Sequence, residues 1–339
     1  GVTDMEIDSK GVFWIATYKG LLRFENETFT AFTTTNSGLP DNEVRALGAA
    51  ADGGLWVGTS AGVSLFDGSK WTTYTTSNSG IASNYVSSIA VDKTGVVWFV
   101  HNEYQKGKGA SSFDGTTWKN YIPVIGSSKY TSILSISIDP GNAKWFGTAT
   151  RLFRLDGETW TDYPVEYVND IAADNSGKLW AAAGTFPSMA FLPVKSFSSF
   201  DGAAWTPLDL ESKLERPIIA FNKVRIDTDG TFWFVTRDGH NGAFSLRSFD
   251  GTRVKTYRTD GPLSFYFTGI AVDNANTKWI STGFGVAQYN GTSWTNHLFT
   301  LEKDDVGPNA NLENLNYGIN MFETIAVDHD NTVWAVSNG

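Results

Sequence analysis

The chain offers few side chains that could do chemistry. It has four histidines and no cysteine, which removes thiolate metal sites, cysteine nucleophiles and disulfides. His297 falls in a strand at the outer edge of the repeat set out below, and His329 in a turn at the opposite end of it. That leaves His101 and His240. No His-Glu-x-x-His, Gly-x-Ser-x-Gly, phosphate-binding glycine loop or paired-histidine metal spacing occurs. Two histidines on one face can serve a lyase as base and acid, so a lyase or hydrolase using His101 and His240 stands as an alternative. The residue set favours binding, with no metal and no cofactor. The acidic run Glu302, Asp304, Asp305 matches no Ca²⁺ loop spacing and reads as a solvated loop.

The polar residues that break an apolar pattern are the candidates for holding a ligand. His101 ends the stretch VDKTGVVWFVHNE, three residues after Trp98, where five other segments have Thr (Thr17, Thr59, Thr148, Thr236, Thr282). Eight residues before the corresponding tryptophans the chain is mostly Gly, Ala or Ser, but Glu6 and Arg225 stand there instead. They either pair with each other or offer a carboxylate and a guanidinium to a polar ligand. Arg45, one residue further up its strand, is a third such group. Tyr18, Tyr104, Arg237 and His240 lie in the segments that follow these tryptophans. Aromatic faces among Arg, Asn and Asp suit a sugar or another amphipathic ligand, because a ring face stacks while hydroxyls hydrogen-bond.

These candidates are placed by an internal repeat. Aligning Trp14, Trp56, Trp98, Trp145, Trp180, Trp233, Trp279 and Trp334 gives eight units of 35 to 55 residues. Six residues before the Trp, seven units have Asp: Asp8, Asp92, Asp139, Asp174, Asp227, Asp273 and Asp328. Three residues before it every unit has Gly or Asn. Those residue types tolerate positive φ, so the spacing predicts a tight turn whose backbone the Asp bonds. A second turn follows in LFDGSKW, SFDGTTW, RLDGETW, SFDGAAW, SFDGTRV and QYNGTSW. Each unit therefore reads as four short antiparallel strands, A to D. Strand B carries the aligned Trp, and strand D opens with Trp71, Trp118, Trp160, Trp205 or Trp294. One such sheet cannot bury both faces alone, so the units must stack, as in an all-β propeller. The tryptophans are then packing between blades.

The core D-x-x-G-x-x-W-x-x-T, followed by F-D-G-x-x-W and an N-S-G-[LI] segment (NSGLPDNEV at 36–44, NSGIASNYV at 78–86), resembles the two-component-regulator propeller repeat. The resemblance runs along essentially the whole chain. It implies a β-propeller of the kind that forms the periplasmic sensor part of hybrid histidine kinases in Bacteroidetes and occurs in related secreted proteins. A periplasmic or secreted location follows from that resemblance. The expected domain is a single propeller over 1–339, with repeats near 3–33, 44–77, 86–122, 133–164, 168–209, 221–258, 267–299 and 322–339. Seven repeats are complete and the eighth is partial. An eight-bladed ring is favoured, and seven blades with an extra hairpin is the alternative.

Composition narrows the partners. A formal net charge of −10 argues against nucleic acid or an anionic membrane, and no apolar run approaches the ~20 residues a bilayer needs. Beginning at Gly1, the chain reads as a trimmed or mature form. The B-to-C and D-to-A connections vary in length while the other two turns do not, and insertions confined to one face are what a binding surface looks like on a repeat scaffold. The function expected is non-enzymatic: an extracytoplasmic propeller that binds a small-molecule, carbohydrate-derived or peptide ligand there, at the central channel. A protein-interaction scaffold using the same face is the alternative.

Overall fold

The computed structural model describes residues 2–10, 12–25, 28–50, 52–103, 106–125, 127–165, 168–173, 178–183, 197–208, 218–238, 243–257, 267–273, 275–282, 285–298, 322–327 and 333–337. Among them are seven four-stranded antiparallel sheets, each ordered A-B-C-D. Blade 1 is Val2–Ile7, Phe13–Thr17, Gly20–Glu25 and Thr28–Phe32. Blade 2 is Val44–Ala49, Leu55–Thr59, Val63–Phe66 and Trp71–Tyr74. Blade 3 is Ser88–Val91, Val97–Glu103, Lys106–Phe113 and Trp118–Tyr121. Blade 4 is Ile133–Ile138, Lys144–Thr148, Leu152–Asp156 and Thr159–Tyr163. Blade 5 is Val168–Ala173, Leu179–Ala183, Phe197–Phe200 and Trp205–Pro207. Blade 6 is Ile218–Ile226, Phe232–Asp238, Ala243–Phe249 and Val254–Tyr257. Blade 7 is Phe267–Val272, Lys278–Thr282, Gly285–Tyr289 and Trp294–Leu298.

The fold is an all-β propeller of four-stranded antiparallel blades. The expected eight blades are corrected to seven, because among the described residues the eighth repeat forms a two-stranded hairpin, Phe322–Val327 with Val333–Ser337. The chain divides into two compact units, residues 1–190 with 194–209, and residues 191–193 with 210–339. Blades 1 to 5 belong to the first, and blades 6 and 7 with the hairpin to the second.

The Asp–Trp spacing has a direct cause. In blade 1, Asp8 Oδ1 accepts the N–H groups of Lys10 (2.9 Å) and Val12 (3.0 Å), while Oδ2 accepts the Trp14 indole N–H at 3.0 Å. Asp92, Asp139, Asp227 and Asp273 repeat the indole bond to Trp98, Trp145, Trp233 and Trp279. One carboxylate thus closes the A–B turn and fixes the ring that will pack. The turn needs a left-handed residue, and Gly53, Gly95 and Gly230 supply it at φ 78 to 86°, while Asn142 and Asn276 supply it at 73° and 62°.

The strand-B indoles, including Trp56 with Ala50 six residues before it, pack forward onto the next blade. Trp56 lies 5.3 Å from Phe99 and 5.9 Å from Phe113 of blade 3, and Trp145 lies 5.0 Å from Phe200 and 5.5 Å from Trp205 of blade 5. Trp233 meets Tyr289 of blade 7 in the same way at 5.5 Å. The buried apolar clusters accordingly lie between consecutive blades. The expectation that the tryptophans are packing between blades holds for Trp14, Trp56, Trp98, Trp145 and Trp233 of strand B and for Trp71, Trp118, Trp160, Trp205 and Trp294 of strand D.

Where the turn reads Asn-x-Lys-Trp, the junction gains a polar clamp. Lys144 of blade 4 reaches back to Asp92 of blade 3 at 2.7 Å and sits 5.3 Å over the Trp98 ring. Lys278 does the same to Asp227, also at 2.7 Å, and lies 5.4 Å over Trp233. Burial pushes the Asp92 carboxyl up, but Lys144 together with the Thr94 and Trp98 bonds outweighs it and holds the group at about 2.

Candidate functional site

The threonine repeated after strand B is a turn closer. Thr17, Thr59 and Thr148 donate their hydroxyls to the carbonyls of Gly20, Gly62 and Arg151 at 2.8 to 2.9 Å, sealing two-residue B–C turns. Blade 3 has no such turn at this point. Its strands B and C run on as a longer ladder to Glu103 and Lys106, with a register shift between His101 and Asn102. The extended hairpin lies against the segment before blade 4, where Gly109, at φ 79°, donates its N–H to the Thr131 carbonyl at 2.9 Å. A side chain there would strike the Tyr121 carbonyl, 2.1 Å from the site of a Cβ. With the turn moved outward, position 101 has no hydroxyl work to do.

His101 does not project into solvent. It is 1% exposed, with Nδ1 3.0 Å from the Tyr85 carbonyl and Nε2 2.8 Å from Ser111 Oγ. Against the expectation that it holds a ligand on the loop-rich side, the ladder around it encloses the ring, and both nitrogens are engaged within the blade. Ser111 continues the chain of bonds to Asn120 Oδ1 at 2.7 Å, and Asn120 Nδ2 donates to the Gly80 carbonyl at 3.0 Å. Blade 2 builds the same column from smaller parts, with Ser64 and Thr73 both donating to the Gly38 carbonyl. Gly38 and Gly80 are the glycines of the two Asn-Ser-Gly segments, so that motif supplies a carbonyl to the blade after it. Burial drives the His101 pKa down to about 4, against a smaller upward pull from the Tyr85 carbonyl. The ring is neutral at pH 7.

Tyr85, held by His101 through its carbonyl, faces Arg45. The Arg45 guanidinium carbon lies 4.5 Å from the Tyr85 ring and 5.8 Å from the Tyr18 ring. Arg45 stands at a β-bulge, the register skipping it between Val44 and Ala46, and bulges re-aim side chains. Its Nη2 pairs with Glu43, and its Nε is buried without a hydrogen-bond partner. Tyr18 is 52% exposed, whereas Tyr85 is buried. An exposed phenol, a guanidinium and a buried aromatic backing are therefore grouped on the side of the B–C and D–A connections, within the first unit.

Glu6 is tied down elsewhere. Strand A is the edge of each sheet, so its outward N–H groups need partners from the preceding blade. Asp4 accepts the Leu47 N–H at 2.8 Å, and Glu6 accepts that of Ala49. Burial, then the neighbouring Asp4, raises the Glu6 carboxyl to about 7 against the opposing Ala49 bond. Arg225, in strand A of blade 6, is exposed and lies in the second unit, opposite Trp233 in register. Arg237 falls in strand B of the same blade, paired with Phe244. Tyr104, His240 and the acidic run at 302–305 lie outside the described residues. Among the described residues no three His, Asp or Glu side chains are grouped to hold a metal ion, and no helix is long and apolar enough to cross a membrane.

The sequence reading missed Ser111, Asn120, Glu43 and Asp4. Ser111 and Asn120 carried a usable signal, since they repeat the register of Ser64 and Thr73 one blade on. Asp4 carried a weaker one, standing two residues before Glu6 on the same strand face, and Glu43, just before its strand, stands two residues from Arg45 across the bulge.

Residues 38–61, which include Glu43 and Arg45, match the family model described as two component regulator propeller. The chain thus carries the repeat that its sequence resembles. No curated protein matches it. Virginiamycin B lyase from Staphylococcus aureus is similar in structure, with a TM-score of 0.57 at 12% identity, over 87% of this chain and 92% of that one. The extracellular domain of a putative one component system from B. thetaiotaomicron matches at a TM-score of 0.47 and 16% identity, over 99% of this chain and 56% of that one. PorZ, a surface component of the type-IX secretion system of Porphyromonas gingivalis, matches at 0.49 and 14%, over 100% and 55%. The chain spans about half the length of the extracellular domains it matches. At these identities the likeness is one of fold.

Proposed function

We propose that this chain, carrying the two-component-regulator repeat, works over 1–339 as one propeller domain: a non-enzymatic, extracytoplasmic binding or sensing module, periplasmic or secreted. Its ligand is carbohydrate-derived or peptidic and is taken on the side of the B–C and D–A connections. The observation that carries this reading is the Tyr18–Arg45–Tyr85 group. An exposed ring beside a guanidinium already held in place presents a stacking face and a fixed donor together, so little ordering entropy is lost on binding. The family match across residues 38–61 supports the sensing role. Tyr104 is a further candidate in the same unit, Arg225, Arg237 and His240 are candidates within the second unit taken by itself, and Glu6, two residues before the A–B turn residue Asp8, stands apart from the Arg45 group.

A lyase reading loses half of its acid–base pair in His101, whose two nitrogens are engaged inside the blade. The test is a thermal-shift screen against glycans and peptides, with Arg45→Ala beside the parent chain. Binding to the folded state raises the melting temperature by mass action. A hit that raises it in the parent chain and not in the variant supports the proposal. Turnover of a polysaccharide overturns it, and a protein captured by the same face with no response to any glycan or peptide favours the scaffold instead.

A further inference from the structure

We propose that His101 is a positioning residue, which through the main-chain carbonyl of Tyr85 sets the ring that backs the Arg45 guanidinium. Its functional consequence rests on the binding reading above, but its geometry does not.

The protons around the ring can be counted. Ser111 has one O–H and lies 2.7 Å from Asn120 Oδ1, and its oxygen already receives the Ala82 N–H at 3.0 Å. Asn120 spends an Nδ2–H on the Gly80 carbonyl, which fixes its oxygen toward Ser111. A neutral imidazole brings one N–H to two contacts. If the proton sits on Nε2, the Nδ1 lone pair faces the Tyr85 carbonyl at 3.0 Å inside the blade, two acceptors with nothing between them. If it sits on Nδ1, the Tyr85 carbonyl is satisfied and the Ser111 O–H turns to Nε2. The shortfall then moves to Asn120, which is exposed and can be served by solvent. The cluster therefore selects the Nδ1–H tautomer. Burial, which holds the ring neutral at pH 7, is consistent with that choice.

The Tyr85 carbonyl is one of three main-chain or side-chain anchors on this short segment. Its own N–H donates to Ser83 Oγ at 3.2 Å, and the next N–H, of Val86, donates to the Thr59 carbonyl at 3.0 Å. With the backbone pinned on both sides of the Cα, the ring direction is set. Arg45 follows it, because its Nε has no hydrogen-bond partner and its other neighbours are the partly exposed Glu43 carboxylate just before the strand and the exposed Tyr18 ring. The substitution of Thr by His in blade 3 is thus explained by reach. A Thr side chain at position 101 could not span from the strand to both Tyr85 and Ser111.

The test reads Arg45 without any ligand, by NMR of its side-chain Nε–H in the full chain, assigned with Arg45→Lys. Tyr85 stacked on the guanidinium shifts that signal upfield. Substitution His101→Asn keeps an N–H donor where Nδ1 stands, and the signal is expected to stay within about 0.1 ppm of the parent. His101→Leu has no donor, and the signal is expected to move to the position of an unstacked arginine. His101→Gln, which reaches Ser111 but offers no donor at the Nδ1 position, serves as the second variant should the Leu form not fold, and it is expected to follow the Leu form. An Arg45 signal unmoved in a folded Leu or Gln variant overturns the proposal, as does an equal shift in the Asn variant. Failure here leaves the binding reading standing, and failure of the ligand screen leaves this one standing.

Discussion

The two ends of a blade use the same residue types to opposite effect. At the A–B end, each described turn Asp spends its carboxylate on the turn backbone and an indole, and blades 1, 3, 4, 6 and 7 repeat the indole bond at 2.9 to 3.3 Å, while blade 2 has Ala50 there. At the B–C and D–A end, blade 2 closes with Thr59 while blade 3 extends its ladder and encloses His101. The first end carries the joint between blades, so any change there is felt by two blades at once. The second is also joined, by the Gly38 and Gly80 carbonyls and the Val86–Thr59 bond, but its turns differ from blade to blade, and that variation can be spent on aiming Tyr85 and Arg45.

That difference predicts a ranking. Trp145→Ala strikes the joint, removing a fully buried ring that blades 4 and 5 share. A loss of about 3–5 kcal/mol in denaturant-derived stability is expected, whereas an equal loss from a truncation at Tyr18 would erase the distinction. Lys278→Met leaves Asp227 buried without its cation. The expected cost is about 3 kcal/mol, the low end for a stranded buried charge, because three N–H groups still hold the carboxylate. A neutral result in urea unfolding would mean that the clamp contributes nothing to the junction.

Titration separates the ends by sign. His101 has its pKa lowered from 6.5 to about 4, so between those values the unfolded chain binds a proton that the folded one does not. Stability contributed by the neutral ring is present above 6.5 and lost as the pH falls to 4, by about 3 kcal/mol. Glu6 runs the other way. Its carboxyl is raised from 4.5 to about 7, so its contribution is present below 4.5 and lost as the pH rises through 7. The two windows overlap and offset each other. Removing Glu6 by Glu6→Gln should steepen the acid loss, and His101→Asn should leave a slope of the opposite sign. Chevron or equilibrium unfolding across pH 4 to 7.5 checks both.

Arg45→Ala should have the smallest effect on stability, below about 1 kcal/mol, since its ion pair with Glu43 is partly exposed. Its effect on ligand affinity should nonetheless be tenfold or more, measured by calorimetry on whichever glycan or peptide the screen returns. A variant that binds normally would place the site away from Arg45, with Arg225 of the second unit the next to test.

Much of this was legible before any coordinates. The role of Gly or Asn three residues before the Trp was readable from φ alone, and the Asp six residues before it from the reach of a carboxylate across a tight turn. Local geometry fixes both. His101 was legible as an exception but not as a buried one, because enclosure depends on where the B–C turn closes, and that is settled by the Gly109 contact with a carbonyl 22 residues away. The count of blades went the same way: eight tryptophans mark eight repeats, yet a blade needs four strands and the described residues of the last repeat form two.

The sequence determined by itself whatever lies within one turn: strand limits, the left-handed turn residues, the Asp–indole bond and the fold class that a self-similar sheet must adopt. Only the tertiary structure decided what crosses from one blade to the next, including the lysine clamps, the raised carboxyl of Glu6 and the path from His101 to Arg45. The physical reason is range. Turn geometry is set by neighbours a few residues apart, whereas a pKa or a stacked guanidinium is set by groups forty residues distant that only packing brings within a few ångströms.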